Sequence, residues 1–563
     1  AENVDATITL GPVSAGIRGG ELGLVYRDDK LALEASGSMF LDGAGFANAS
    51  ADEVFLAYNE DGLDIVGETL VIGDLDYTFR HLPVATDYLA VTATGLDVNF
   101  ADVIYLRGNF GISFDGGEDE VTLVASEVEA GIAVGSFAAG VQDGALGMVI
   151  DSEGKVVLEA VGSLFVDLPV NIGLSADSVR LRYNETGNAY TGEELQVGSV
   201  DYTFGTMEAA SDLFEVAVDG ARLSVADFVT IEGNLAIRSQ TSSLNFDPDT
   251  SVEVELLTIG AGNVNAFAGY KANTPDEIGL RLTNVNVAVA LMDEVGGNRS
   301  WTALQASVGS AAFVGVSGLT LEVTDFALEV NLAADDDSVI DFASAPLVVS
   351  TGITSSMTFD MAAADGELIQ AVGSVNFGLF GFVTLSGNFA IVSRSDTVTL
   401  SDGDSVDVDV LSVGASDGYA FVGFDGIGLE VTGIEFALAI FSEQEGSRSW
   451  VATRGLIATA GFVGVPQLTL SVNTLELQIN QAADDDTVID FSDDNYTVLT
   501  GPDNSLDINF DGEDGALLQL TGNIVINIAN FISIEGGFGI RSASTTVKVD
   551  DEDVEVDVLT IGA

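Results

Sequence analysis

Apolar and polar residues alternate with a period of two along most of this chain. In residues 278–291 every second position is apolar up to Leu282 and again from Val285 onward, and residues 427–440 repeat the pattern. Such alternation is typical of a strand with one buried face. No long stripe of apolar residues at helical spacing persists, and 64 glycines punctuate the chain at turn-like positions. The pattern predicts an all-β protein.

The alternation slips by one residue at a fixed place in several strands, where a small polar pair interrupts it. A slip of this kind predicts a β-bulge or corner at which the strand bends and changes face. The pairs are Thr283-Asn284, Thr324-Asp325 and Thr432-Gly433.

Internal repeats organise the chain. A block of apolar residues around a glycine recurs four times, and its first glycines are separated by 125, 154 and 149 residues (Gly108, Gly233, Gly387 and Gly536). Two short units therefore precede two long ones, and residues 298–342 match residues 447–491 at a constant offset. We expect units at residues 1–119, 120–250, 251–405 and 406–553, with residues 554–563 starting a further repeat.

Units of this length, without linkers rich in proline or serine, favour an elongated continuous repeat array. A β-solenoid or a rolled sheet would fit, and tandem β-sandwich modules are the alternative. The chain begins and ends within repeated motifs, so we expect repeats to continue in both directions.

The charge of the chain is extremely negative. Acidic residues number 88 against 18 Lys plus Arg, a formal net charge of −70, although 47% of residues are hydrophobic. The apolar content argues against disorder. The negative charge argues against nucleic acid as a partner and against insertion into a membrane. Divalent cations and copies or repeats of the same chain are the expected partners. A saline or calcium-rich exterior fits such a charge, and no cysteine occurs.

Carboxylates follow two patterns. In VEVEL, VDVDV and VEVDV they alternate with valines, so we expect the valines in the core and the acids in an outward row. Asp-rich turns supply hard oxygen ligands of the kind that Ca²⁺ requires, although without EF-hand spacing. The candidate ligands are Asp335, Asp336, Asp337, Asp484, Asp485, Asp486, Asp247, Asp249, Asp402 and Asp404.

Catalysis is not expected. The sole histidine, His81, has no counterpart in the second unit, and no carboxylate pair is marked out by its sequence context. Trp301 and Trp450 occupy equivalent positions, each two residues after an arginine. We expect both to be core anchors covered by the arginine stems, with a carbohydrate-stacking site as the alternative.

The long units resemble a known class of protein. The segments SWTALQASVGSAAFVGVSGLTLEV, FVTLSGNFAI and VIDF resemble the degenerate β-repeats, about 150 residues long, of giant adhesin-like or sheath-like surface proteins of aquatic bacteria. The resemblance covers about half of the chain, from Val252 onward. It implies an extracellular or cell-surface location and brings no catalytic residues.

Two functional classes follow. The first is a structural or adhesive array that forms a stiff rod, filament or sheath. The second is a lipid-transfer conduit, a long β-sheet with an apolar groove. A solid apolar interior would favour the rod, and an open groove lined by apolar side chains would favour the conduit.

Overall fold

The structure is a computed structural model, and it describes eleven ranges of the chain. These are residues 1–10, 13–42, 47–100, 104–134, 137–168, 172–209, 212–225, 228–247, 250–272, 274–549 and 552–563. Within them the regular structure is β-strand, apart from the 3₁₀ turns Ala363–Asp365 and Gly512–Asp514. The all-β prediction is confirmed.

The strands of the first half are long and are interrupted by two short hairpins. They are β1 (Val4–Leu10), β2 (Val13–Arg27), β3 (Lys30–Asp42), β4 (Ala47–Asp61), β5 (Thr69–Ile72), β6 (Leu75–Thr78), β7 (Thr86–Phe100), β8 (Ile104–Asp115), β9 (Glu120–Val134), β10 (Phe137–Ile150), β11 (Val156–Leu168), β12 (Ile172–Asn184), β13 (Glu194–Val197), β14 (Val200–Thr203), β15 (Leu213–Val225) and β16 (Val229–Asp247).

The second half repeats this organisation. Its strands are β17 (Thr250–Tyr270), β18 (Ile278–Glu294), β19 (Ser300–Val314), β20 (Leu319–Leu332), β21 (Leu347–Ser350), β22 (Ser356–Phe359), β23 (Leu368–Leu379), β24 (Val383–Thr399), β25 (Ser405–Phe424), β26 (Ile427–Glu443), β27 (Ser449–Val463), β28 (Leu468–Gln481), β29 (Tyr496–Leu499), β30 (Ser505–Ile508), β31 (Leu517–Ile528), β32 (Ile532–Val549) and β33 (Glu552–Gly562).

The chain divides into two compact units. Unit 1 comprises Ala1–Ser242, Glu255–Ala261 and Ser350–Ser356, and unit 2 comprises Ser243–Val254, Gly262–Val349 and Met357–Ala563. In each unit the long strands form an antiparallel meander in which each strand pairs with the next long strand along the chain. An antiparallel meander is the arrangement of the rolled-sheet form of the predicted array.

Short hairpins leave the meander and lie on one face of the sheet. In unit 1 the ring of Tyr77, on β6, lies against Gly23, and the ring of Tyr202, on β14, lies against Gly147. A side chain at either glycine would collide with the ring, so glycine permits this close approach. In unit 2, Val498 and Ile508 of β29 and β30 belong to a buried cluster with residues of the meander. We call the face that carries the hairpins the covered face.

A buried carboxylate anchors each hairpin of unit 1 to the sheet. Glu34 accepts hydrogen bonds from the Tyr77 hydroxyl at 3.1 Å and from the backbone N–H groups of Arg80 and His81 at 2.9 and 2.8 Å. Glu159 holds the equivalent place and accepts from the Tyr202 hydroxyl at 3.0 Å. Burial and the neighbouring carboxylate raise the pKa of each tyrosine, which therefore stays a donor.

Two of the three predicted bulges coincide with a register shift, at Asp325 against β23 and at Gly433 against β25, whereas the register of β18 with β19 continues through Asn284. Asn284, Asp325 and Gly433 have positive φ angles of 52°, 52° and 61°. Between Thr324 and Ala327 the register of β20 shifts against β23 by one residue. The apolar side chains of β20 do not change face at the bulge, contrary to expectation. The partner strand β23 pairs with β20 on both sides of the bulge, and the alternation of β23 continues unbroken. The bulge exchanges odd for even positions and so keeps the apolar side chains of β20 on one face.

The tryptophans are core anchors, as predicted. Trp301 and Trp450 are 2% and 0% exposed, and each indole N–H donates to a backbone carbonyl at 3.0 Å. The guanidinium of Arg299 lies 5.2 Å from the Trp301 ring, and that of Arg448 lies 5.3 Å from the Trp450 ring. These contacts agree with the arginine covering expected from the sequence.

Candidate functional site

The face of the sheet opposite the hairpins is apolar, and we call it the open face. In unit 1 a row of ten residues crosses the open face, one from each of ten consecutive long strands, and each residue lies opposite the next in the strand pairing. Nine of the ten side chains are aliphatic, Met or Phe, and the tenth is Tyr. The row is Leu22, Ala35, Leu56, Val91, Ile112, Leu123, Met148, Leu158, Tyr183 and Phe214. Nine intervals of about 4.8 Å give this row a length of about 43 Å.

Unit 2 has a row of the same kind. It also takes one residue from each of ten consecutive long strands, and one hydroxyl, that of Thr453, interrupts it. Its members are Val287, Ala306, Leu328, Ala371, Ile391, Val413, Leu438, Thr453, Ile479 and Leu518. Side chains two residues further along each strand share this face, as Leu411 does beside Val413.

Apart from Thr453, which is 7% exposed, these side chains are at least partly accessible to solvent. Val91, Ile112 and Phe214 are 39%, 48% and 43% exposed in unit 1, and Ile391 and Leu518 are 44% and 45% exposed in unit 2. Soluble monomers seldom expose a contiguous apolar patch of more than a few hundred square ångströms. A row about 43 Å long exceeds that size once neighbouring positions are included. The open face is therefore the candidate binding surface.

Carboxylates border the open face at one end of the strands. In β25 the valines Val408 and Val410 are 0% and 2% exposed, whereas Asp407 and Asp409 are exposed, as predicted from VDVDV. Both aspartates lie on the same face as Leu411, because alternate residues of a strand share a face. Hydroxyl groups of the neighbouring strand donate to Asp407 at 2.7 Å and to Asp409 at 3.1 Å. The apolar surface thus has an acidic border.

Two of the predicted calcium ligands are already engaged by protein donors. Asp336 accepts from the Ser338 backbone and hydroxyl, and Asp485 accepts in the same way from Thr487. These hydrogen bonds, with a smaller contribution from the nearby arginine, lower the pKa of both aspartates.

Of the other candidate ligands, Asp335 and Asp337 share the turn of Asp336, Asp484 and Asp486 share the turn of Asp485, and Asp402 and Asp404 lie in a further turn. Asp337 and Asp486 occupy positive-φ positions of their turns, and Asp402 accepts from the backbone of Asp404 at 3.1 Å. Among the described residues, no group of three or more His, Asp or Glu side chains is placed to hold a metal ion. Asp249 lies outside the described residues, as does the side chain of Asp247. Calcium binding stays a prediction.

His81 has a structural environment. Its ring makes an edge-on contact with Phe55 at 5.5 Å, and its backbone N–H donates to Glu34. It therefore lies where the first hairpin returns to the sheet.

No helix in the described part of the chain is long and apolar enough to cross a membrane. No protein-family model matches the sequence, and no curated protein is significantly similar to it.

The residues of the open face were not identified from the sequence, although the sequence contains a signal for them. Neighbouring residues such as Ala90 and Val91 are both apolar, one pointing to the hairpins and the other to the open face. A strand with apolar residues at both odd and even positions has two apolar faces. Apolar residues at successive positions, rather than at every second one, are the pattern that could have identified the open face.

Proposed function

We propose that the open face binds the acyl chains of uncharged or zwitterionic lipids and that the protein acts as a β-sheet lipid conduit. The observation that supports this most is the row of ten opposed, almost entirely apolar side chains in each unit. Alkyl chains need apolar contact and no hydrogen-bonding partner. A row that crosses the strands offers such contact along nearly its whole length, and only the hydroxyls of Tyr183 and Thr453 interrupt it.

The charge of the chain favours lipid over a second copy as the occupant. Two copies facing each other would each carry a formal charge of −70. Their repulsion opposes association through the open face unless salt or divalent cations screen it. Lipids without net charge meet no such barrier, whereas anionic head groups would be repelled by carboxylates such as Asp407 and Asp409.

The free energy expected from burying an alkyl chain is large enough to hold a lipid on the open face. Burial of one methylene contributes about 0.8 kcal/mol, so a chain of about fourteen methylenes with one side against the sheet would gain about 5 kcal/mol. Two chains of one lipid would roughly double this gain, minus the cost of ordering them.

The second candidate is a structural or adhesive array at the cell surface, with self-association and divalent cations as its expected contacts. The equivalent cores around Trp301 and Trp450 favour it, because repeated cores of the same design are typical of stiff repeat proteins. A rod does not by itself account for exposed apolar residues in both units. A conduit built from such repeats would combine both properties.

Lipid transfer tests the proposal. We expect the purified chain to speed the movement of fluorescent phosphatidylcholine between donor and acceptor vesicles. Replacing Val91→Asp and Ile112→Asp together places two charges in the unit 1 row and should reduce lipid binding at least about ten-fold, since buried carboxylates without partners are costly. Val71→Asp, at a residue 69% exposed on the first hairpin, is the matched control and should behave like the wild type.

Three results would contradict the conduit. These are failure of the wild-type chain to bind phosphatidylcholine, equal loss in the control and row variants, and binding of anionic lipids alone. Assembly of lipid-free chain into filaments, observed by electron microscopy, would favour the structural array instead.

A further inference from the structure

Three arginines converge on the covered face of unit 1. Arg180 and Arg182 belong to β12 and Arg238 to β16, and their side chains are only 14%, 11% and 18% exposed. The whole chain has 18 Lys plus Arg. A partly buried group of three arginines in so acidic a protein is therefore a marked local concentration of positive charge.

Two buried carboxylates pair with this group. Arg180 Nη2 lies 2.9 Å from Glu215 Oε1, and Arg182 Nε lies 2.9 Å from Glu159 Oε1. The glutamate side chains are 2% and 3% exposed. Three guanidinium groups thus face two buried carboxylates.

The third arginine pairs with one buried and one exposed carboxylate. Arg238 Nη1 lies 3.9 Å from Glu215 Oε2, and Glu215 is 2% exposed. Arg238 Nη2 contacts Glu208 at 2.6 Å, and Glu208 is 70% exposed, so solvent screens its charge. Arg180 Nε is buried and has no hydrogen-bond partner among the described residues. Three guanidinium groups therefore share two buried carboxylates, and Arg180 Nε remains an unused donor.

These side chains line a cavity of about 680 Å³. The turn Ser350–Ser356, which belongs to unit 1, closes part of it, and hydroxyls including those of Ser178, Thr206 and Ser355 line the rest. The volume is within the range of small-molecule sites. Guanidinium and hydroxyl groups around one space are complementary to an oxyanion that also carries hydroxyl groups.

The first short repeat shows that the fold does not need these charges. Positions 125 residues earlier are equivalent, because the offset brings Glu159 onto Glu34 and Gly233 onto Gly108. The equivalents of Arg180, Arg182, Glu215 and Arg238 are Phe55, Ala57, Ala90 and Ser113. Phe55, Ala57 and Ala90 are 4%, 0% and 1% exposed and belong to the hydrophobic core of unit 1. Apolar residues generally replace buried ion pairs without loss of stability.

We infer that this arginine pocket binds the carboxylate or sulfate group of a small polyhydroxylated molecule, an acidic sugar in chemical class. Arg180 and Arg238 supply donors to the oxyanion, and the surrounding hydroxyl groups bind the hydroxyls of the ligand. The pocket is on the face opposite the lipid-binding surface, so the inference goes beyond the proposed lipid function and is independent of it.

Calorimetric titration of the full chain with glucuronate, glucose 6-sulfate, glucose and sodium sulfate, at constant ionic strength, tests the inference. We expect the two acidic sugars to bind at least about ten-fold more tightly than glucose or sulfate alone, because only they use both sets of groups. Arg180→Gln should weaken glucuronate binding about ten- to a hundred-fold. Arg222→Gln, at an exposed arginine outside the cavity, is the control and should leave binding unchanged.

The four-residue variant that copies the first repeat, Arg180→Phe, Arg182→Ala, Glu215→Ala and Arg238→Ser, should keep its β circular dichroism and lose binding. Equal affinity for glucose and glucuronate would overturn the inference, as would equal loss in the Arg222 control. No detectable heat or thermal shift with either acidic sugar would also overturn it. If Arg180→Gln does not fold, the affinities of the wild-type chain for glucuronate and glucose still decide between these outcomes.

Discussion

The two faces of the sheet are made by the same strands and differ in how far their apolar side chains are buried. On the covered face small residues such as Ala57, Ala90 and Ala437 are almost completely buried under the hairpins or beside them. On the open face larger residues such as Ile112 and Ile391 remain nearly half exposed. Small side chains let a hairpin approach the sheet closely, whereas large ones extend into the space above it. Apolar residues therefore form the core on one face and remain available for a ligand on the other.

Truncation of a large side chain should separate the faces most clearly. Trp450→Ala, on the covered face, should lower the free energy of unfolding by about 3–5 kcal/mol, because it leaves a cavity and removes a buried hydrogen bond. Leu411→Ala, at a residue 43% exposed on the open face, should cost about 1 kcal/mol or less. Urea denaturation measures both. Similar losses for the two variants would mean that the open face is packed against something in solution.

Enlargement of a small residue should give the next largest difference. Ala90→Leu must fit beneath a hairpin and should destabilise unit 1 by about 1–3 kcal/mol. Ala160→Leu, on the open face two residues from Leu158, extends into solvent and should change stability by no more than about 0.5 kcal/mol. The denaturation midpoints of the two variants provide the test. A harmful Ala160→Leu would show that the open face has no free space above it.

The smallest expected effect concerns Glu329, a partly buried carboxylate on the covered face of unit 2. Burial raises the pKa of Glu329, and the nearby carboxylates Asp360 and Asp365 raise it further, against a hydrogen bond from Gln305. A raised native pKa means that the folded state holds this proton more strongly than the unfolded state does. The contribution of Glu329 to stability therefore falls as pH rises above the ordinary value of 4.5.

The test is the pH dependence of stability between about pH 4 and 7. Glu329→Gln should flatten the decline in the urea midpoint, whereas Glu153→Gln, at a residue 69% exposed, should not. The control is needed because many other carboxylates titrate over the same range. An unchanged slope in Glu329→Gln would show that this glutamate is solvated in both states.

Much of the fold could be predicted from local pattern. Period-two alternation identified the strands, the slips at Thr324-Asp325 and Thr432-Gly433 located bulges, and Trp301 and Trp450 were correctly placed in the core. These features depend on residues close together in the sequence. Whether the apolar side chains change face at a bulge depends on the pairing with the neighbouring strand. The predicted change of face was wrong.

The candidate sites depend on contacts that local pattern does not contain. Glu34 and Glu159 are acidic residues that alternate with apolar ones, a pattern that predicts exposure, yet both are buried. The hairpins that cover them carry their donors Tyr77 and Tyr202, which lie 43 residues further along the chain. Which face is covered depends in the same way on where the hairpins return. The arginine pocket was missed because it assembles side chains from three separated segments.

A site-specific fluorescent probe can show directly whether acyl chains occupy the open face. The chain has no cysteine, so a single cysteine at Ile112→Cys or Val71→Cys can carry an environment-sensitive fluorophore without further changes. On addition of phosphatidylcholine, we expect a blue shift and reduced quenching by iodide at position 112 and no change at position 71. No shift at position 112, or equal shifts at both positions, would contradict occupancy of the open face.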